Sequence, residues 1–504
     1  MIKGNITKIS NGHMNEVSKL DHISYAKTMQ SNASGQINEK ATDGVVFGKP
    51  EEMKFTTVDE IDIVIGVFFD GTLNNKYNTE HKDAGKGKGS YGNDYSNVAR
   101  LFYSYKEKGY TVSTYIEGIG TEDGESDSTI GSGFGAGDTG IPAKVQKGCR
   151  NIVDTILKVA NKRIGTLTID VFGFSRGAAA ARHFIYEVTK PSYAPTSNTS
   201  FSETKYDANG HETTLDEMPA GGELGKILLE RKLKVNQIKI RFVGLFDTVS
   251  SFNKGGFSVS PDFSNDVGEL HLNQLFKAEK VIHFTAADEH RKYFALTRIQ
   301  SAGSKGIEKD FPGVHSDIGG SYPDGEEYVD EILMGYNDEL VAEKNRLIAE
   351  SWYKDEQLEV HSFLGKLSGR RNLKKAYSYI TLHFMCEFAV NYPTPLSFDR
   401  AFLEQKYPIS TSPDDLLGFM KIRLHSYVFD NHEPLKFKYY SQLQDALKNN
   451  KITPSAFNKE LEEQKRIRVL RNNYLHWSAT FNGIGEPFQP NIEDQQRKRI
   501  PYVG

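Results

Sequence analysis

Residues 167–188 change character within a few positions, and the change dictates a layered arrangement of sheet and helix. Leu167-Thr168-Ile169-Asp170-Val171-Phe172 is an apolar, β-branched run, and Gly173-Phe174-Ser175-Arg176-Gly177 follows it at once. Ala178-Ala179-Ala180-Ala181 then opens a helical stretch that reaches Val188. A buried strand that turns directly into an alanine-faced helix predicts a helix lying tight against a sheet. Comparable strands are expected at Ile61–Phe69, Thr111–Glu117, Ile238–Phe246 and Tyr293–Thr297. Helices are expected between them at Ser96–Tyr105, 143–162 and Leu272–Ala287. Such alternation over residues 60–320 is the pattern of an α/β fold, a mostly parallel sheet covered by helices on both faces.

The flanks read differently. Residues 1–57 are rich in Ser, Asn, Lys and Gly without periodicity, and are read as an extended arm and candidate docking segment. The core is expected at 58–325, with an insertion near 190–230 where Pro, Ser, Thr, Asn and Gly dominate. Residues 326–504 read as mainly helical (Asp338–Trp352, Leu373–Val390, Pro413–Ser426, Lys459–Trp477), a lid or membrane-contacting part. With 30 Phe and 25 Tyr in 504 residues the chain has apolar surface enough for a sizeable core. Lys and Arg (62) nearly balance Asp and Glu (66), so nothing global attracts polyanions and no nucleic-acid partner is expected. Two cysteines, Cys149 and Cys386, form no framework and leave the redox compartment open. No apolar run approaches the ~18 residues of a membrane span, and residues 1–30 show no apolar signal-peptide core. Taken alone, these features point to a soluble protein of the cytoplasm.

Gly173-Phe174-Ser175-Arg176-Gly177 matches the G-x-S-x-G nucleophile elbow, and it lies between strand and helix as that motif requires. Ser175 is therefore the candidate nucleophile. A serine hydroxyl needs a base, and the base a carboxylate to orient it. In α/β-hydrolases the order along the chain is Ser, acid, His. Asp247 follows the apolar run Phe242–Phe246 and fits the acid; His315, in the Pro- and Gly-fixed loop Phe311–Tyr322, fits the base. His283 and His290 compete but fall within or beside an expected helix, His183 lies on the elbow helix, and His476 closes the last one. Asp317 is read as fixing the His315 loop. The oxyanion hole needs two backbone N–H donors. Arg176 supplies one by position and the Gly71-Thr72 turn is the candidate for the other. One such donor is worth about 3–4 kcal/mol in the transition state.

Other readings fail. Phe69-Asp70-Gly71-Thr72 invites comparison with phosphatases that open on a nucleophilic aspartate, but Phe68 stands at that position. Asp70 instead pins the turn. Gly131–Asp138 is glycine-dense yet lacks Gly-Lys-Ser/Thr and does not follow a strand directly. No zinc spacing occurs, and neither metal nor cofactor is expected.

The segments FFDGTLNN, YIEGIGT, GSGFGAGD, DVFGFSRGAAAAR, GLFDTVSSF and FPGVHSDIGGSY occur in the order of the Tle-one phospholipase family of type VI secretion lipase effectors, which the chain resembles over roughly 60–325. The resemblance implies an α/β-hydrolase core and release of fatty acyl chains from membrane phospholipid. It matches the family's serine to Ser175, its aspartate to Asp247 and its histidine to His315. It further implies antibacterial use, a secretion spike or tube protein as carrier, a cognate immunity protein, and export to the target-cell periplasm without a signal peptide. Against this stand a soluble carboxylesterase and a degenerate hydrolase kept as a scaffold. Ile467, Leu470, Tyr474 and Trp477 form an apolar stripe beside Lys465, Arg466, Arg468 and Arg471. A packed surface helix is the favoured reading of it over a membrane-surface helix.

Overall fold

Six strands make the central sheet: β1 (Ile61–Phe69), β2 (Thr111–Ile116), β3 (Ile164–Phe174), β4 (Val235–Phe246), β5 (Lys280–Ala286) and β6 (Gly306–Phe311). They belong to a computed structural model that describes residues 60–504 apart from 84–87, 128–139, 161–162, 198–203, 208–211, 251–262, 482–488 and 492–496. The arm at 1–57 and the glycine-dense 131–138 segment lie outside the described residues. All neighbouring strands pair in parallel, in the order β6-β5-β4-β3-β1-β2. The chain runs from β1 outward to β2, then returns to the other side of β1 and proceeds through β3 to β6. Loops leaving β1 and β3 therefore diverge, and a crevice opens between them at the carboxyl ends of the strands. The register levels those ends, with Phe69 opposite Gly173, Phe174 opposite Phe246, and Phe246 opposite Phe284.

The two faces of the sheet have different chemistry because strand residues alternate. On one face Ile63, Ile65 and Val67 of β1 join Ile169 and Val171 of β3 and Val243 and Leu245 of β4. Helices α2 (Ile141–Val159) and α3 (Arg176–Val188) cover them. α2 starts with Pro142 in its first turn and buries Ile141, Val145, Cys149, Ile152 and Ile156, at helical spacing. Ala178 to Ala181 of α3 are fully buried, so that helix backbone approaches the strands closely. The opposite face is aromatic: Phe68, Phe172, Phe174, Phe242, Phe246 and Phe284. Phe172 stacks on Phe68 at 5.0 Å and meets Phe398 edge-on at 5.3 Å. This face is covered by α1 (Asn97–Ser104), whose first turn is capped by Ser96 Oγ, and by α4 (Ser378–Val390) and α5 (Leu416–Phe429). Chain from beyond residue 325 thus closes the sheet, and Val58–Gly504 forms one compact unit.

Several expectations are corrected. The helix expected at Leu272–Ala287 is a short 3-10 turn, Leu275–Lys277, followed by strand β5. Val281–Thr285 is buried on both sides, so its apolar run has no period to separate strand from helix. Of Tyr293–Thr297 only Leu296–Thr297 is strand, paired in parallel with Pro501–Tyr502. The region beyond 325 is not helical throughout: β7 (Gly325–Met334), β8 (Leu358–His361) and β9 (Lys366–Leu373) form an antiparallel sheet. Among its described residues the 190–230 insertion holds three two-residue antiparallel strands and a helix, Gly222–Glu230. The last helix, α6, runs Pro454–Asn473 and so ends before Trp477; its Ile467 and Leu470 face inward, and Trp477, in the coil beyond it, is buried in the same aromatic core. Its cations are engaged as well, Arg466 lying over Phe419 and Arg471 pairing with Asp288. That helix is a packed one. Among the described residues no helix is long and apolar enough to cross a membrane.

Phe172 is fully buried in the aromatic face, in ring contact with Phe68, Phe242 and Phe398. Phe172→Ala is expected to cost about 3–5 kcal/mol of stability, read from denaturant unfolding of the full chain.

Candidate active site

Ser175 follows the last residue of β3 and precedes α3, and its backbone is in the left-handed region at φ 58° and ψ −130°. Such strain in a non-glycine residue persists only where surrounding structure fixes it. Here Ser175 N–H donates to Phe246 O (3.1 Å) and Ala178 N–H to Ser175 O (3.0 Å). The flanking glycines are required by close approach. A Cβ on Gly177 would lie 2.1 Å from Asp70 O, and one on Gly173 2.6 Å from Gly177 O. The elbow and the loop after β1 are thus in direct contact, and Arg176 Nε donates to Thr72 Oγ1 at 2.7 Å.

Asp247 leaves the end of β4 at φ 42°, with its N–H on Phe284 O at 2.8 Å. His315 opens a five-residue helix, His315–Gly319. Its Nδ1 lies 2.5 Å from Asp247 Oδ2. The imidazole rests against the Phe174 ring at 4.6 Å and meets Phe294 edge-on at 5.0 Å. Its backbone N–H donates to Glu289 Oε2 at 3.2 Å. Ser175 and His315 are adjoining through Phe174, and among the described residues Ser175 Oγ has no hydrogen bond to the imidazole. Such bonds are commonly long in the free enzyme and tighten around substrate.

The electrostatics come from burial answered by charge. Burial would raise Asp247, but Arg499 and His315 hold its carboxyl well below the usual carboxylate range. Arg499, which sequence reasoning missed, donates from Nη1 to Oδ1 (2.6 Å) and from Nη2 to Oδ2 (2.9 Å). Burial pushes His315 below the ordinary imidazole value, with the Asp247 hydrogen bond and charge opposing. Glu289, also missed, is fully buried; burial would raise it, but a two-pronged pair with Arg291 at 2.9 and 2.7 Å holds it low. The available signal was the run Asp288-Glu289-His290-Arg291, which puts opposite charges directly after an apolar strand.

The other candidates occupy separate places. Asp317 faces away from His315's dyad: it accepts from Val314 N–H (2.9 Å), His476 N–H (3.0 Å) and His476 Nδ1 (2.7 Å), tying the His315 loop to the end of α6. His283 lies on strand β5, not in a helix, with Nδ1 on Glu308 (2.9 Å) and Nε2 accepting from Thr248 N–H (3.1 Å). His290 lies in the loop after β5, where burial and Arg497 push it down to about 4. His183 holds Leu270 O through Nδ1 at 2.9 Å. Asp70 is buried and pushed up to about 6 by desolvation; Tyr115 OH donates to it at 2.5 Å. Gly71 N–H donates to Asp70 Oδ1 at 2.7 Å. That donor is engaged, so of the expected turn only Thr72 N–H is left to face an oxyanion. A cavity of about 1170 Å³ lies behind Arg499 and Glu289, lined by Trp352 and Trp477, and neither Ser175 nor His315 is in its wall. Among the described residues no cluster of His, Cys, Asp and Glu could hold a metal ion.

A family model for the catalytic domain of type VI secretion (T6SS) Tle1-like phospholipase effectors matches residues 63–357. The chain belongs to this family. The match runs from β1 to the start of β8, and so spans the elbow, Asp247 and His315 while stopping well short of Arg499. Among solved structures, a Tle1 effector bound to the VgrG spike of the type VI secretion system is similar in fold: TM-score 0.51 at 20% identity, over 88% of this chain and 94% of that one. An uncharacterized protein from Pseudomonas aeruginosa matches with TM-score 0.36 and 17% identity, over 82% of this chain and 64% of that one. No curated protein matches the sequence.

Because burial lowers His315, the imidazole is neutral at pH 7 and takes up its proton only on acidification. Its Cε1–H resonance is expected to titrate with a midpoint below the ordinary value of about 6.5, with His315→Gln identifying the signal by its loss.

Proposed function

We propose that this member of a phospholipase effector family is a serine hydrolase that releases fatty acyl chains from glycerophospholipids, a phospholipase of the A type. The observation that carries the reading is the Asp247–His315 contact at 2.5 Å, placed beside a serine held at φ 58° at a strand-to-helix elbow. In the proposed mechanism His315 Nε2 takes the proton of Ser175 Oγ as the oxygen attacks the ester carbonyl. Asp247 fixes the imidazole through Nδ1–H and stabilises the imidazolium. The developing oxyanion is received by the N–H groups of Arg176 and Thr72. His315 returns its proton to the leaving lysophospholipid, then activates the water that clears the acyl-enzyme.

Family membership supports delivery by a type VI secretion system, and the fold shared with a spike-bound effector supports a spike protein as carrier. An antibacterial role, a target-cell membrane as substrate surface and a cognate immunity protein complete the reading. Residues 1–57 are proposed as the docking arm.

Ser175→Ala is expected to lower acyl release from phosphatidylethanolamine/phosphatidylglycerol vesicles by at least about 10³-fold, with its unfolding transition unchanged. Full activity in that variant would sink the mechanism. Faster turnover of short soluble esters than of vesicles would favour a carboxylesterase. Mass spectrometry of the lysophospholipid from a lipid with two different chains assigns the position cut.

A further inference from the structure

The carboxylate beside His315 is held from the far end of the fold. Asp247 has no exposed surface, and four donors converge on its two oxygens. Oδ2 accepts from His315 Nδ1 (2.5 Å) and Arg499 Nη2 (2.9 Å). Oδ1 accepts from Arg499 Nη1 (2.6 Å) and Ala286 N–H (2.9 Å). The guanidinium is itself fixed, since Nε donates to Phe294 O at 2.6 Å and only 8% of the side chain is exposed. The chain that follows it is held by strand pairing: Leu296 N–H donates to Ile500 O and Arg298 N–H to Tyr502 O, both at 2.9 Å. Thr297 N–H, in the partner strand, donates to Thr248 O, next to Asp247.

A buried carboxylate whose sole cationic partner is an imidazole presents a conflict. Burial favours neutralising the charge, and the imidazole can do so only by becoming imidazolium. That form cannot accept a proton from a serine. A guanidinium stays charged throughout the working range and binds both oxygens in plane. We propose that Arg499 is a positioning residue for the catalytic acid: it fixes the Asp247 carboxylate and offsets its charge, so that His315 stays an unprotonated base until the serine proton arrives. This rests on the serine-hydrolase reading above. The other charges facing His315 are Glu289 and Arg291, which are paired with each other at 2.7 Å. Asp317, on His315's own short helix, is engaged with His476. Arg291 and Glu289 act on His315 in opposite senses, and Arg499 reaches it through the Asp247 carboxylate that both contact.

The test compares Arg499→Met, which keeps the stem without the charge, with Arg499→Lys, which keeps the charge without the fork. Both are made in the full chain. In Arg499→Met the His315 Cε1–H titration is expected to move up by about one pH unit, tenfold in proton affinity. The acid limb of kcat on a soluble ester should move with it, with KM changed by less than about twofold. Arg499→Lys should restore most of the titration midpoint and part of kcat. Loss of kcat by one factor at every pH, with the His315 titration unmoved, would overturn the proposal and leave Arg499 a packing residue. If Arg499→Met does not fold, Arg499→Gln and Arg499→Lys carry the same comparison. The titration is also read in Ser175→Ala protein. A shift there stands without turnover, so failure of the hydrolase reading and failure of the Arg499 role give different results.

Discussion

A sheet whose strands all run parallel is covered on both faces, because its inner strands are apolar in both directions. Everything else in this molecule answers that constraint. The aliphatic face takes helices that lie close, with alanines at the contact in α3. The aromatic face is deeper and takes α1 together with helices from beyond residue 325. Covering both faces also leaves the strand ends as the one edge where polar groups can gather. The level register of β1, β3, β4 and β5 puts the turns after Phe69, Phe174, Phe246 and Ala286 within reach of one another.

The polar cluster at that edge gives each buried carboxylate a hydrogen-bonded partner in a dry setting. Asp247 meets Arg499 and His315, Glu289 meets Arg291, and Asp317 meets His476. Breaking a buried pair by removing one partner is typically worth about 3–5 kcal/mol, so each pair also fixes the loop that carries it. Glu289 and Asp317 both act on the backbone around His315, one through its N–H and the other through the loop before it. Two residues of the edge, Ser175 and Asp247, have positive φ without being glycine. Both are anchored by backbone hydrogen bonds to the neighbouring strand.

Local chemistry made much of this legible in the sequence. The elbow could be read because its glycines answer a steric demand on either side of Ser175, and the Ser, Asp, His order because each follows an apolar strand or a Pro-Gly loop. Strand β5 was not legible, since a short run buried on both sides carries no period. β6 hid behind Glu308, Lys309 and Asp310, which suit the edge of a sheet. The engagement of the Gly71 N–H by Asp70 was not legible either, being a matter of side-chain rotamer. Arg499 left no local mark at all: its segment, Arg497-Lys498-Arg499, looks like any solvated basic run. Only the pairing of Pro501–Tyr502 with Leu296–Thr297 reveals where it points.

The separation of Arg499 from Asp247 is 252 residues, and this has a kinetic meaning. Contacts of such range carry a large loop-closure cost, and folds rich in them form slowly. A chain folded only through the elbow and β4 holds a serine and a carboxylate but has no guanidinium to offset the buried charge. The charged edge is complete only once these two distant segments have met. The completed charge cluster belongs to the whole fold and not to the portion that bears the recognisable motif.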